Sequence, residues 1–245
     1  CTGGYTTTAV ANNEVWNGTN WTESGDINTA RTSAHHAGTS TSALFSGGGP
    51  SIPSTGALSE EWNGSSWTEV ADLSTARNSG SFGGRESSNS SAIVFGGYTG
   101  TVRTAATEEW TGAGEPIGAW STGGDLNTAR DSLWGAGTQT NALAFGGETP
   151  PGETAITELY NGSNWTEVND LNTARTSLAG NGTYTSALAY GGYTSTRVAV
   201  TENWNGTNWT EVNDLNQVRN ALSGLGADST SGLAMGGFEP PYTAK

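Results

Sequence analysis

The feature that most constrains this chain is that it repeats itself. A unit reading TARTSL at residues 173–178, SALAYGGY at 186–193 and TENWNGTNWTEVNDL at 201–215 recurs along all 245 residues. An arginine following Thr-Ala stands at Arg31, Arg77, Arg130 and Arg175, and one following valine at Arg219; the spacings are 46, 53, 45 and 44 residues. A double glycine recurs at Gly3-Gly4, Gly47-Gly48, Gly96-Gly97, Gly146-Gly147, Gly191-Gly192 and Gly236-Gly237. A period of this kind outranks local propensity. Each unit is one supersecondary element that buries its apolar face only against its neighbours.

Within a unit the signals are those of short strands. SALF at 42–45, AIVF at 92–95 and ALAF at 142–145 are brief apolar runs leading into the glycines, which is the pattern of buried strands rather than helices. Asn-Gly at 17–18, 63–64, 161–162 and 205–206 separates two half-apolar runs and supplies the positive φ of a tight hairpin. Trp16/Trp21, Trp62/Trp67, Tyr160/Trp165 and Trp204/Trp209 flank those turns. A two-residue loop sets each pair diagonally and a four-residue loop sets it face to face; both put the two rings on one face of the sheet. The expected role is to wedge between neighbouring units, the alternative an exposed ladder for sugars.

Four strands per unit of about 45 residues is the pattern of a β-propeller blade. The expectation is an all-β single domain, 1–245, of five four-stranded blades at about 31–76, 77–129, 130–174, 175–218, and 219–238 plus 1–30. Both termini close the last blade, with residues 12–24 and 218–236 sharing one sheet and hiding its edges. The sixth double glycine is surplus to that count and suggests a longer array. The chain opens at Cys1 with no initiator methionine and no signal segment, so a mature product or a fragment is expected.

The run ALAYGGY at 187–193, followed by Glu202, Trp204-Asn-Gly and Trp209, resembles the Kelch repeat, and the resemblance covers essentially the whole chain. It implies a propeller with the first strand of each blade nearest a central channel. Two departures stand out: five blades where six or seven are usual, and a shortened link between third and fourth strands. The hairpin's Gly-x-x-Trp is also similar to the Asp-box of sialidases, but the Ser-x-Asp-x-Gly frame is missing.

Composition excludes several chemistries. A formal net charge of -14 disfavours nucleic acid, which rewards basic surfaces. No apolar run is long enough to span a bilayer. One cysteine excludes a disulfide framework, and two adjacent histidines, His35 and His36, leave no metal centre to assign. Some Kelch-like propellers carry a copper oxidase site of histidines, tyrosines and a crosslinked cysteine; here the two histidines point to opposite faces of a strand. No Ser-His-Asp set and no phosphate-binding glycine loop is present. Glu14, Glu61, Glu109, Glu158 and Glu202 are read as one repeated position, so the carboxylates are structural rather than a differently tuned catalytic pair. Asn-x-Ser/Thr occurs at Asn17, Asn20, Asn63, Asn89, Asn161, Asn164, Asn181, Asn205 and Asn208, mostly within the hairpin turns that already explain it.

Arg31, Arg77, Arg130, Arg175 and Arg219 each follow an aspartate by five residues, at Asp26, Asp72, Asp125, Asp170 and Asp214. They are expected to form a structural ring bracing the links between blades, each contacting an aspartate or a carbonyl. The alternative is a ring of arginines holding an anion at the channel mouth.

Function is expected where the units differ. The segments after the double glycines vary freely and offer Tyr98, Arg103, Glu148, Tyr193 and Arg197 as a binding face, with Tyr5 in the same frame. Insertions at 85–89 and 112–118 fall in loops of the opposite face. The reading is a non-enzymatic extracellular binding or structural propeller without cofactor, such as a phage virion decoration or tail-associated receptor-binding protein. Its partner is a protein scaffold or a cell-surface glycan or receptor. The alternatives are a carbohydrate-active or oxidase-type propeller enzyme, and a bacterial adhesin or a lipoprotein anchored at Cys1.

Overall fold

The computed structural model of the chain describes residues 2–49, 56–83, 89–112 and 118–238. Those residues form 23 strands and no helix, and every ladder is antiparallel. Strands β1 (Thr2–Tyr5), β2 (Ala9–Trp16) and β3 (Trp21–Ser24) make a three-stranded sheet. Next, β4 (His35–Thr39), β5 (Ser42–Ser46), β6 (Ser59–Trp62) and β7 (Trp67–Glu69) make a four-stranded sheet in chain order. A second such sheet follows in β8 (Ser81–Gly83), β9 (Ser91–Phe95), β10 (Thr107–Thr111) and β11 (Ala119–Thr122). The third begins with β12 (Trp134–Thr138) and β13 (Asn141–Phe145). A two-residue hairpin, β14 (Glu148–Thr149) with β15 (Gly152–Glu153), then precedes its β16 (Thr157–Tyr160) and β17 (Trp165–Glu167). The fourth holds β18 (Ala179–Thr183), β19 (Ser186–Tyr190), β20 (Thr201–Trp204) and β21 (Trp209–Val212). Finally β22 (Ser223–Asp228) and β23 (Ser231–Met235) form a two-stranded sheet.

Four complete sheets thus stand between two incomplete ones. The expected clasp is not formed among the described residues: β1–β3 and β22–β23 belong to separate sheets. The physical reason is a duplicated second strand. β1 lies on the edge of β2 that β23 would need, pairing Thr2 with Asn13, Gly4 with Val10 and Tyr5 with Ala9.

The hairpins resolve the register left open by the sequence. Trp16 pairs with Trp21, Trp62 with Trp67, Tyr160 with Trp165 and Trp204 with Trp209, so each loop is four residues long. Only the glycine of Asn-Gly takes a positive φ, 97° at Gly18 and 93° at Gly64. The asparagine serves through its side chain: Asn17 Oδ1 accepts the backbone N–H groups of Thr19 and Asn20, both at 2.9 Å. Trp110 and Trp120 keep the same direct pairing although residues 113–117, outside the described set, lengthen their loop.

The core lies between sheets. The first strands of successive sheets touch in the order β4, β8, β12, β18, β22. Phe95 meets Trp165 of the next sheet at 4.7 Å between centroids, and Phe145 meets Trp209 at 5.0 Å, both edge-on. Trp62, Trp67, Trp110, Trp165, Trp204 and Trp209 are buried. At roughly 25 cal/mol per Å² and 150–250 Å² per ring, each contributes about 4–6 kcal/mol before the entropy of ordering it.

Candidate functional site

Each joint between sheets is built on a double glycine and the arginine of the following unit. The first glycine has φ of 67°, 65°, 64° and 62° at Gly47, Gly96, Gly146 and Gly191. A β-carbon there would lie 2.7–2.9 Å from the carbonyl oxygen of Arg77, Arg130, Arg175 or Arg219. Only glycine permits both the backbone angle and that approach. The second glycine donates its N–H to the same carbonyl at 2.9 Å, from Gly48, Gly97, Gly147 and Gly192. The double glycine is therefore a socket for the next arginine's backbone.

The arginine side chain turns into its own unit. Arg31 donates from Nη1 to the carbonyls of Gly47 and Leu58, and Arg77 to those of Gly96 and Ala106. Each guanidinium then meets a glutamate of the third strand: Arg31–Glu60 at 2.7 Å, Arg77–Glu108 at 2.5 Å, Arg130–Glu158, and Arg175–Glu202 at 3.1 Å. All eight side chains are buried. Burial pushes the pKa of each of these arginines down, and the facing glutamate opposes that shift. A guanidinium stays charged under such a shift, so each pair is a buried ion pair.

Two sequence expectations are corrected here. The repeated acidic position is Glu14, Glu60, Glu108, Glu158 and Glu202, not Glu61 and Glu109, which lie one residue along on the other face of the strand. The arginines do contact backbone carbonyls, one of the two expected kinds of partner, but the carboxylates they meet are these glutamates and not the preceding aspartates. Asp72, Asp125, Asp170 and Asp214 instead accept the backbone N–H of Ser59, Thr107, Thr157 and Thr201 within their own sheets, at 2.9–3.2 Å. The recurring link also braces the ion pairs. Asn28, Asn127 and Asn172 donate backbone and side-chain N–H to the second oxygen of Glu60, Glu158 and Glu202. Arg219 differs from the other four. It is half-buried, donates to the carbonyls of Gly236 and Ala234, and forms no ion pair among the described residues.

The variable face forms two clusters, with all five sequence-selected residues half-buried. Arg103 bridges to the next unit, donating from Nε to Asp131 at 3.0 Å and from Nη2 to Glu148 at 2.5 Å. Tyr98 sits beside it, paired through its backbone with Asn78 and Arg103. The second cluster holds Tyr193 and Arg197. Arg197 donates to Asn220 at 3.1 Å and lies 3.9 Å from the ring centroid of Phe238. Asp131, Asn220 and Phe238 were not singled out by sequence. Their signal is positional: Asp131 and Asn220 directly follow a repeated arginine, and Phe238 directly follows a double glycine. Among the described residues Tyr5 is the most exposed large apolar side chain.

Elsewhere, His35 is buried and its Nδ1 lies 3.1 Å from the Ser46 carbonyl, while His36 faces outward. No group of three His, Cys, Asp or Glu side chains is placed to hold a metal among the described residues. No helix there is long and apolar enough to cross a membrane. A cavity of about 100 Å³ among β12, β18 and β22 is lined by glycines with Ala136, Thr138, Asn181, Thr183 and Leu225. Cys1, residues 50–55 and most of the insertions at 85–89 and 112–118 lie outside the described residues. No protein-family model matches the chain, and no curated protein does.

Proposed function

We propose that the chain is a Kelch-like β-propeller unit that binds rather than catalyses, displayed outside the cell, as a virion decoration or tail-associated receptor-binding protein would be. Successive four-stranded antiparallel sheets whose first strands adjoin support the propeller reading. The observation that carries the binding reading is a division of labour. Four of the recurring arginines and their facing glutamates are consumed by one another inside the joints. The side chains that differ gather in the loops after the double glycines, where Tyr98, Arg103, Glu148, Tyr193 and Arg197 stay partly open to solvent. A protein scaffold or a cell-surface glycan or receptor fits such a surface.

The test is to replace Tyr98, Arg103, Tyr193 and Arg197 together by alanine and measure adhesion to immobilised glycans, bacterial cells and phage particles. The expected outcome is a melting temperature lowered by only a few degrees and a loss of attachment of tenfold or more, about 1.4 kcal/mol. Unchanged attachment, with loss instead on substitution within 85–89 or 112–118, places binding on the other face.

A further inference from the structure

The loops of the variable face share one pairing frame, and the loop at 148–153 breaks it. The residue after a double glycine pairs with one further along its own loop: Tyr98 with Arg103, Glu148 with Glu153, and Tyr193 with Arg197. It also pairs with the residue that follows the repeated arginine: Tyr98 with Asn78, Glu148 with Asp131, Tyr193 with Thr176, and Phe238 with Asn220. In two of these loops the further residue is an arginine that reaches into the next unit. Arg103 donates from Nε to Asp131 and from Nη2 to Glu148. Arg197 donates from Nε to Asn220 and lies over the Phe238 ring, 3.9 Å from its centroid. Each guanidinium therefore rests on the same two positions of the following unit.

The loop between them carries Glu153 in the arginine's place, and the following unit presents Thr176 and Tyr193 at the two receiving positions. Those groups are left over. Thr176 is 6% exposed, and its hydroxyl is buried without a hydrogen-bond partner among the described residues. Native folds rarely leave such a group unpaired. Glu153 is exposed, and its carboxylate forms no hydrogen bond or ion pair among the described residues. It stands directly opposite Glu148, and like charges so placed destabilise a hairpin. Tyr193 is half-buried, and no cation lies over its ring among the described residues.

We propose that Glu153, Thr176 and Tyr193 form a docking site for an arginine side chain of a protein partner. This rests on the reading that the variable face binds, and it selects a protein over a glycan. The partner's guanidinium takes the place that Arg103 and Arg197 fill at their own joints. It donates to the Thr176 hydroxyl and the Glu153 carboxylate and lies over Tyr193. Arginine suits the site better than lysine, because its planar fork serves two acceptors while its face stays free for a ring. The chain's formal net charge of -14 favours the approach of such a basic surface.

The probe is a capped Gly-Arg-Gly tripeptide, titrated into the isotopically labelled full chain and followed by nuclear magnetic resonance. Saturable shifts are expected at the amides of Glu153, Thr176 and Tyr193. Glu153→Gln and Thr176→Val should each weaken binding by about threefold or more. Glu153→Arg, at an exposed position, should abolish it, because the chain then supplies its own guanidinium; circular dichroism checks that this variant keeps its strands. The absence of saturable shifts overturns the proposal, as does undiminished binding in Glu153→Arg. Equal binding of a capped Gly-Lys-Gly tripeptide also overturns it, since a point charge would then suffice. The two readings fail separately. Loss of attachment in the four-alanine variant, with no peptide binding, removes this site alone. Unchanged attachment in that variant overturns the variable-face reading and, with it, the partner assigned here.

Discussion

Arg130 and Arg103 are the same side chain in two settings. Arg130 is enclosed between a double-glycine socket and Glu158, with backbone carbonyls around it, and the arrangement recurs in the neighbouring units. Arg103 spans two loops at the surface, 24% exposed, and its partner Glu148 is 41% exposed. Both form ion pairs, yet only the first lies where water cannot replace a lost partner. The contrast teaches that repetition marks the groups the fold cannot release, while variation marks those it can spend on recognition.

The strongest test of that contrast is Arg130→Ala. It strands the Glu158 carboxylate in a buried site and should cost about 3–5 kcal/mol by denaturant unfolding. A cost no larger than that of Arg103→Ala would break the comparison. Gly146→Ala should come next, at about 1–3 kcal/mol, because it forces an L side chain to φ of 64° and against the Arg175 carbonyl. Arg103→Ala should cost under about 1 kcal/mol, with the difference shrinking further in high salt. The smallest effect is spectroscopic. Tyr160, where other units carry tryptophan, is pushed up to about 12 by burial and then by its hydrogen bond to Glu109. Its folded-state value lies above the ordinary one, so its contribution to stability is complete below about pH 10 and is lost as pH rises toward 12. Ultraviolet titration should find a late-titrating tyrosine that is absent in Tyr160→Phe.

The period, the strand runs and the Asn-Gly turns were legible because they rest on local chemistry: glycine for positive φ, alternation for a half-buried face. The acidic frame was harder. Glu60-Glu61 and Glu108-Glu109 offer two adjacent candidates, and composition cannot choose between them. Counting two residues back from Trp62 and Trp110 does choose, since that residue shares the tryptophan's face. Asp72 and Arg77 lie close in sequence and looked like partners, but the aspartate serves a backbone N–H of its own sheet and the arginine crosses to Glu108. Of the variable face, tyrosine and arginine were readable; their anchoring by Asp131, Asn220 and Phe238 depends on contacts between units, which no single unit encodes.

The socket and its arginine come from different units, and this bears on how such a gene can change. A crossover that adds or removes one whole unit, arginine to arginine, replaces each joint by another of the same kind, so the product meets no new packing problem. The spacing of 53 residues between Arg77 and Arg130, against 44–46 elsewhere, shows where extra length is tolerated. It enters in sequence between β8 and β9 and between β10 and β11, not beside a double glycine. Copy number can therefore drift while each joint is inherited intact, and the loops after the glycines can diversify separately from both.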